Sequence, residues 1–107
     1  MIRVKLLRDA DGRMHGFDVE GHADTAPHGQ DIVCAGVSAL TQSALLGIGD
    51  YLKRKVDYRA GHGLLAMRLR EPPDDSTEAI LWTMLLGLRE IAKGAPEVVQ
   101  IEEVRAS

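Results

Sequence analysis

Residues 32–52, IVCAGVSALTQSALLGIGDYL, decide the fold. Val37, Leu40, Ala44, Leu45, Ile48 and Leu52 recur at spacings of three and four, the period of an amphipathic helix. Gly36, Ala39, Ser43 and Gly47 make the other face small, which predicts a central helix packed closely on both sides. Outward from this helix the period falls to two. On the N-terminal side, Ile2, Val4 and Leu6 alternate with Arg3 and Lys5, and Phe17 and Val19 alternate with Asp18 and Glu20. The turn residues Asp9-Ala10-Asp11-Gly12 lie between the two runs, so they read as a hairpin. On the C-terminal side, Val56 to Ala60 reads as a short strand, Gly61-His62-Gly63 as a turn, and Leu65, Met67 and Leu69 as a further strand. Pro72-Pro73 blocks continuation. Asp75 and Glu78 resemble a capping pair, with Ser76 as the alternative, ahead of a second helix over roughly 76–93 that Gly94 and Pro96 stop. Val98, Val99 and Ile101 form a last strand. The expected fold is α/β (α+β), order ββαββαβ: a single mixed sheet of about five strands with two helices, in one domain over residues 1–107.

A chain of 107 residues supports one modest core. Its hydrophobic fraction of 45% and charged fraction of 27% are those of an ordinary globular domain. A net charge of −3 argues against a dedicated nucleic-acid binder, so no direct nucleic-acid contact is required. The single cysteine excludes an intrachain disulfide and fits a reducing compartment. Residues 1–9 lack the apolar core of a signal peptide, and no unbroken apolar run approaches the ~18 residues of a membrane span. The expectation is a cytoplasmic chain with no membrane segment. Lys53-Arg54-Lys55 reads as a solvated helix end, or alternatively as a docking patch for an acidic partner. His15 on a strand and His62 in a turn carry no assigned chemistry; Trp82 and Met84 read as core or interface residues.

The chemistry concentrates in Gly21-His22-Ala23 and, after a loop, Gly29-Gln30-Asp31-Ile32-Val33-Cys34-Ala35-Gly36-Val37-Ser38. His22 closes a strand and Cys34 opens a helix. The unbonded N–H groups of a helix start favour a thiolate, which is the reactive form of cysteine. An imidazole within hydrogen-bond reach can take the thiol proton and return it to a leaving amine. The same N–H groups can hold an oxyanion. Asp31 reads either as the helix N-cap or as the group that orients His22. Ser38, one turn beyond Cys34, can bond the sulfur, His22 or a substrate amide, or simply its own helix backbone. Gly29 lets the loop bend, and Gly36 removes bulk beside Cys34. A lone cysteine at a helix start is also commonly a small buried hydrophobe. A mixed metal site from His22, His28, Asp31 and Cys34 is a further alternative, but its spacing matches no standard zinc pattern.

The segment 21–38 resembles the signature of the ribosomal-processing cysteine protease Prp family. The size and the element order of the whole chain fit the resemblance. It implies a small cofactor-free cysteine endopeptidase of α/β fold, with no metal, that supports ribosome assembly. Such an enzyme removes a short N-terminal extension from a ribosomal protein precursor, number twenty-seven of the bacterial large subunit. It implies His22 and Cys34 as the catalytic dyad and Asp31 and Ser38 as supporting residues. Gly21, Ala23, Asp24, Gly29, Gln30 and Gly36 are then associated with a substrate loop, which moves over 24–30. It also implies a homodimer. Thr25-Ala26-Pro27-His28 departs from the pattern: Pro27 stiffens the loop, and His28 offers a second base. His22 is preferred, because it alone sits in the Gly-His-Ala pattern. The competing reading is a non-enzymatic ribosome-assembly or ribosome-binding module with a structural cysteine, docking through Lys53 to Lys55.

Overall fold

The computed structural model describes residues 1–21 and 30–105, without the side chains of Gln30 and Asp31. Its elements are β1 (Ile2–Arg8), β2 (Met14–Glu20), α1 (Gln30–Leu46) extended by a π-helical turn (Gly47–Tyr51), β3 (Val56–Gly61), β4 (Leu64–Leu69), α2 (Asp75–Gly94) and β5 (Val99–Arg105). The strands form one mixed sheet in the order β3-β4-β2-β1-β5, antiparallel throughout except for the β1–β5 pair. The expected ββαββαβ order and mixed sheet are present.

Both helices lie on one face of the sheet. Ile2, Val4 and Leu6 of β1 point into that layer and are at most 2% exposed. The opposite face is solvated, and unlike charges neighbour one another across it: Lys5 lies between Asp18 of β2 and Glu102 of β5. Arg68 of β4 reaches Asp18 at 2.8 Å. Such cross-strand pairs fix the register of a sheet whose other face is buried.

The hairpin β1–β2 contains a bulge that alternation alone does not reveal. Leu7 pairs with Gly16 and Arg8 with Met14, so His15 is skipped. The extra residue shifts the side-chain parity, and Met14 and Phe17, three apart, are both fully buried. At Gly16 an added Cβ would sit 2.3 Å from the Met67 carbonyl oxygen. Gly16→Ala must therefore push β2 and β4 apart; the expected loss is about 2 kcal/mol in a urea melt.

The start of α2 corrects the expected cap by one residue. Asp74 is the N-cap, accepting the Thr77 N–H at 2.9 Å, and Thr77 Oγ1 accepts the Asp74 N–H at 2.9 Å. Glu78 instead accepts the N–H of Met14 at 2.6 Å, tying the helix to the start of β2. The reciprocal bonds need only a short side-chain oxygen at each of two positions, so Asp-Asp-Ser-Thr offered several frames.

The small face of α1 is not packed on both sides as expected. Gly36 faces Ile91 and Gly47 faces Ile80, so these glycines bring α1 close to α2, but Ala39 and Ser43 are exposed. The buried stripe is Val37, Thr41, Ala44 and Ile48. Helix and π turn together make Ile32–Tyr51 long and apolar enough to cross a bilayer by length and composition. No unbroken apolar run shows this, because small and uncharged polar residues carry the segment. Here the segment packs on α2 and the sheet.

The π turn ends with the Leu52 N–H on the Gly47 carbonyl at 2.9 Å, and Lys53 then takes φ 56°. A side chain there is strained, so Lys53→Gly is expected to raise stability by about 0.5–1 kcal/mol and the Tm by a few degrees. Lys53 and Lys55 are exposed and Arg54 pairs with Asp74. The solvated helix end is the reading these contacts fit.

Trp82 lies half-buried between two guanidinium groups, Arg8 at 5.2 Å and Arg89 at 5.5 Å from the ring centre. Both also reach Glu103 of β5, Arg8 through its Nε at 2.9 Å and Arg89 at 3.3 Å. The hydrogen bond from Arg8 holds the Glu103 carboxyl below its usual range, with the charges of Arg8 and Arg89 adding to it. Because the folded value is the lower one, the contribution is present above the ordinary carboxylate range and is lost as pH falls through the folded value. Glu103→Gln should therefore flatten the acid limb of a stability–pH curve while costing under about 1 kcal/mol at neutral pH, since the pair is partly exposed.

Candidate active site

The site is built where three elements end. β2 stops at Gly21, whose φ of 93° is accessible to glycine and strained for other residues. An added Cβ there would lie 2.1 Å from the carbonyl oxygen of Met1. Gly21 donates its N–H to the Gly63 carbonyl at 2.9 Å, which locks the end of β2 to the β3–β4 turn. That turn, His62-Gly63, needs glycine at its second position, where φ is 71°.

Above this corner lies the start of α1. Cys34 is partly buried and lines a cavity of about 150 Å³. The cavity is bounded by Ile2, Val19 and Leu65 from the sheet, by Gly21, Gly61 and Gly63, and by Val37, Ser38, Thr41 and Gln42 from α1. Engineered cavities of about this size admit one benzene-sized group, so one side chain or a length of main chain fits, and a large cofactor does not. Cys34 thus borders a mixed polar and apolar space on one side and packs against the hydrophobic core on the other.

The helix starts earlier than its periodicity indicates. With Gln30 as the first helical residue, Cys34 opens the second turn instead of lying in the first. Every helical Cα–Cβ bond tilts toward the N-terminus, so the sulfur still leans over the turn that carries the unbonded N–H groups. Asp31 is the second helical residue, inside the helix and past the N-cap position. The N-cap reading of Asp31 does not survive this placement. Its side chain, and with it the orienting role, lies outside the described residues.

Ser38 is exposed and shares the cavity with Cys34, as the spacing of four requires. Gly36 does not: its Cα faces Ile91 on α2, so it serves helix packing and adds nothing to the substrate side. His22, Ala23, Asp24, His28 and Gly29 lie outside the described residues, as does the side chain of Gln30. The dyad and the four-ligand metal alternative both depend on these residues. The chain immediately before His22, Gly21, is at the cavity wall.

Thr41 and Gln42 are site residues that the sequence reading passed over. Thr41 is buried and satisfied, its hydroxyl donating to the Val37 carbonyl at 2.9 Å. Gln42 is exposed on the cavity rim. The signal was available: Cys34, Ser38 and Gln42 continue one helix row at steps of four.

The chain matches the model of the family described as "Cysteine protease Prp" over residues 1–100. It is 30% identical over 104 residues to the "Ribosomal processing cysteine protease Prp" of Staphylococcus aureus, covering 94% of this chain and 97% of that one. It is 44% identical over 45 residues to the protein of that name in Bacillus subtilis, covering 42% of this chain and 40% of that one. Two crystal structures of the essential S. aureus ribosomal processing protease Prp superpose on it. One, with a substrate peptide, gives a TM-score of 0.88, and one, with a covalently linked product peptide, gives 0.86. Each is 28% identical and covers 96% of this chain and 99% of that chain. The non-enzymatic alternative is thereby set aside. The chain belongs to the Prp family of cysteine proteases.

Proposed function

We propose that this protein removes a short N-terminal extension from a precursor of ribosomal protein number twenty-seven of the large subunit, in the cytoplasm and as a homodimer. The observation that carries the reading is the position of Cys34 on an open cavity at the start of α1, beside Ser38 and the glycine that precedes His22. Relatives matched over nearly their whole length are named ribosomal processing cysteine proteases, and one of them is seen with a substrate peptide and with a covalently linked product peptide.

In the proposed cycle the Cys34 thiolate attacks the scissile carbonyl carbon. The first-turn N–H groups of α1 receive the oxyanion. His22 protonates the departing amine, and the carbon–nitrogen bond breaks to leave a thioester on Cys34. His22 then takes a proton from water, whose oxygen attacks the thioester and frees the thiolate. A peptide spanning the extension, taken from the host's own precursor, should be cut once, as read by mass spectrometry. An uncut peptide, with the precursor intact in the presence of the protein, rejects this substrate. A monomer in sedimentation at micromolar concentration rejects the dimer.

A further inference from the structure

The charge of the chain is unevenly placed. Six of its thirteen Lys and Arg residues lie between Tyr51 and Arg70, together with one of its sixteen acidic residues, Asp57. That stretch is net +5 in a chain that is net −3, a local asymmetry the overall charge conceals. It runs from the end of the π turn through β3 and β4. β3 is an edge strand and is exposed at every residue after Val56. Three of the six cations are neutralised in place: Arg54 by Asp74, Arg68 by Asp18 and Arg70 by Asp57. The other three, Lys53, Lys55 and Arg59, are exposed, and among the described residues no carboxylate pairs with them.

Two further observations set these cations apart from an ordinary solvated surface. The chain's two tyrosines, Tyr51 and Tyr58, lie on either side of Lys53 and Lys55 in the sequence and are 82% and 60% exposed. A ring left in water forgoes the burial that is an aromatic residue's main contribution to stability. Lys53 also holds its side chain at φ 56°, a conformation that glycine adopts without strain. An outlier of this kind points to a role outside folding. The backbone that carries the cations is fixed. Arg54 donates its N–H to the Ile48 carbonyl at 3.0 Å, Lys55 donates to the Glu71 carboxylate at 3.0 Å, and the Lys55 carbonyl accepts from the Arg70 N–H at 2.9 Å. A surface already ordered loses little entropy when it binds.

We propose that this stretch binds single-stranded RNA: Lys53, Lys55 and Arg59 take phosphates, and the rings of Tyr51 and Tyr58 stack on bases. Cations alone would serve any polyanion. Exposed rings among them select a partner with free flat faces, which a duplex keeps stacked inside and an acidic peptide lacks. RNA is the polynucleotide that accompanies a ribosomal substrate; that choice of source rests on the proposed function, and the binding chemistry does not. Gly61, at the far end of β3, borders the Cys34 cavity, and Val56 to Gly61 spans roughly 17 Å of strand. The RNA therefore docks apart from the reacting centre. It raises the local concentration of a precursor held on the same RNA and plays no part in cutting a free peptide.

Fluorescence anisotropy of a short labelled single strand of mixed sequence, titrated with the full chain at low salt, reads the binding. With three phosphates engaged at ~0.7 each, log Kd should rise with log salt at a slope of about 2. Lys53→Gly should lower that slope by about 0.7 and weaken binding about fourfold, while melting above the wild type. Tyr58→Ala should weaken binding about tenfold with the slope unchanged, because stacking releases no counterion. Lys93→Ala, an exposed cation on α2, should bind as the wild type does. The duplex of the same sequence should bind about tenfold more weakly than the single strand. Both Lys53→Gly and Tyr58→Ala should cut the free extension peptide at the wild-type rate. Several results overturn the inference: no binding by the wild type, wild-type affinity in both variants, or a duplex or polyglutamate bound as tightly as the single strand. Single-stranded DNA bound about tenfold more tightly than RNA rejects RNA as the ligand. A protein that binds the RNA and cuts no peptide overturns the proposed function and leaves the binding surface standing; one that cuts and does not bind does the reverse.

Discussion

Cys34→Ser should abolish peptide cleavage, with a fall on the order of 10⁴ or more in kcat, while the melting curve stays within about 1 kcal/mol of wild type. The size of the effect follows from what the sulfur supplies. A hydroxyl in the same place is almost wholly protonated near neutral pH and is a far poorer nucleophile without a strong base aimed at it. The small effect on stability follows from position. Cys34 is only partly buried and borders a cavity, so the shorter, more polar serine meets open space. A catalytic thiol and a structural one are separated by this pair of readouts: the structural one loses stability and spares cleavage. Alkylation adds a check that needs no substrate. The rate of iodoacetamide reaction at Cys34 should drop in His22→Ala, and loss of cleavage in His28→Ala with full activity in His22→Ala would reassign the base.

Gly21→Ala should be the most damaging of the conservative glycine substitutions, at roughly 3 kcal/mol. Two costs combine. The backbone sits at φ 93°, which strains any residue with a Cβ, and that Cβ would lie 2.1 Å from the Met1 carbonyl oxygen. Relief requires either end of the contact to move. Moving Met1 disturbs the bond from the Ile2 N–H to the Val98 carbonyl at 2.7 Å, which joins β1 to the chain entering β5. Moving Gly21 breaks its bond to Gly63 and shifts the cavity wall that leads into His22. Cleavage should therefore fall more than the lost stability explains, measured at a temperature where the variant is still folded. A Gly21→Ala protein with wild-type melting would show that the corner is not rigid.

The fold was legible because the hydrophobic period changed cleanly from two to 3.6 and back. Most changes coincided with Gly, Pro or Asp turn chemistry; the exit from α1 through Lys53-Arg54-Lys55 did not. What escaped were departures from strict period. The bulge at His15 hid Met14 from the core, and the start of α1 lies two residues before its first apolar position. In both places the backbone, not the apolar pattern, sets the geometry. The site is readable as a linear motif; of that motif Cys34 and Ser38 line one cavity, while His22 lies outside the described residues. Gly36 was misread because a motif lists neighbours in sequence, whereas a helix sends adjacent residues to different faces; Gly36 points to Ile91. Gln42 and the β3 flank were missed for the complementary reason. Strand exposure depends on which strand ends at the sheet edge, and that order is a tertiary property.

The most direct test of the Cys34 assignment is stoichiometric labelling with the extension peptide carrying a chloromethyl ketone in place of its scissile amide. The thiolate displaces chloride and forms a thioether to the peptide's methylene carbon. The expected result is one label per chain, mapped to Cys34, with cleavage activity lost in proportion to labelling. A protein fully labelled at Cys34 that still cuts the unmodified peptide, or one labelled and inactivated at another residue, contradicts the assignment.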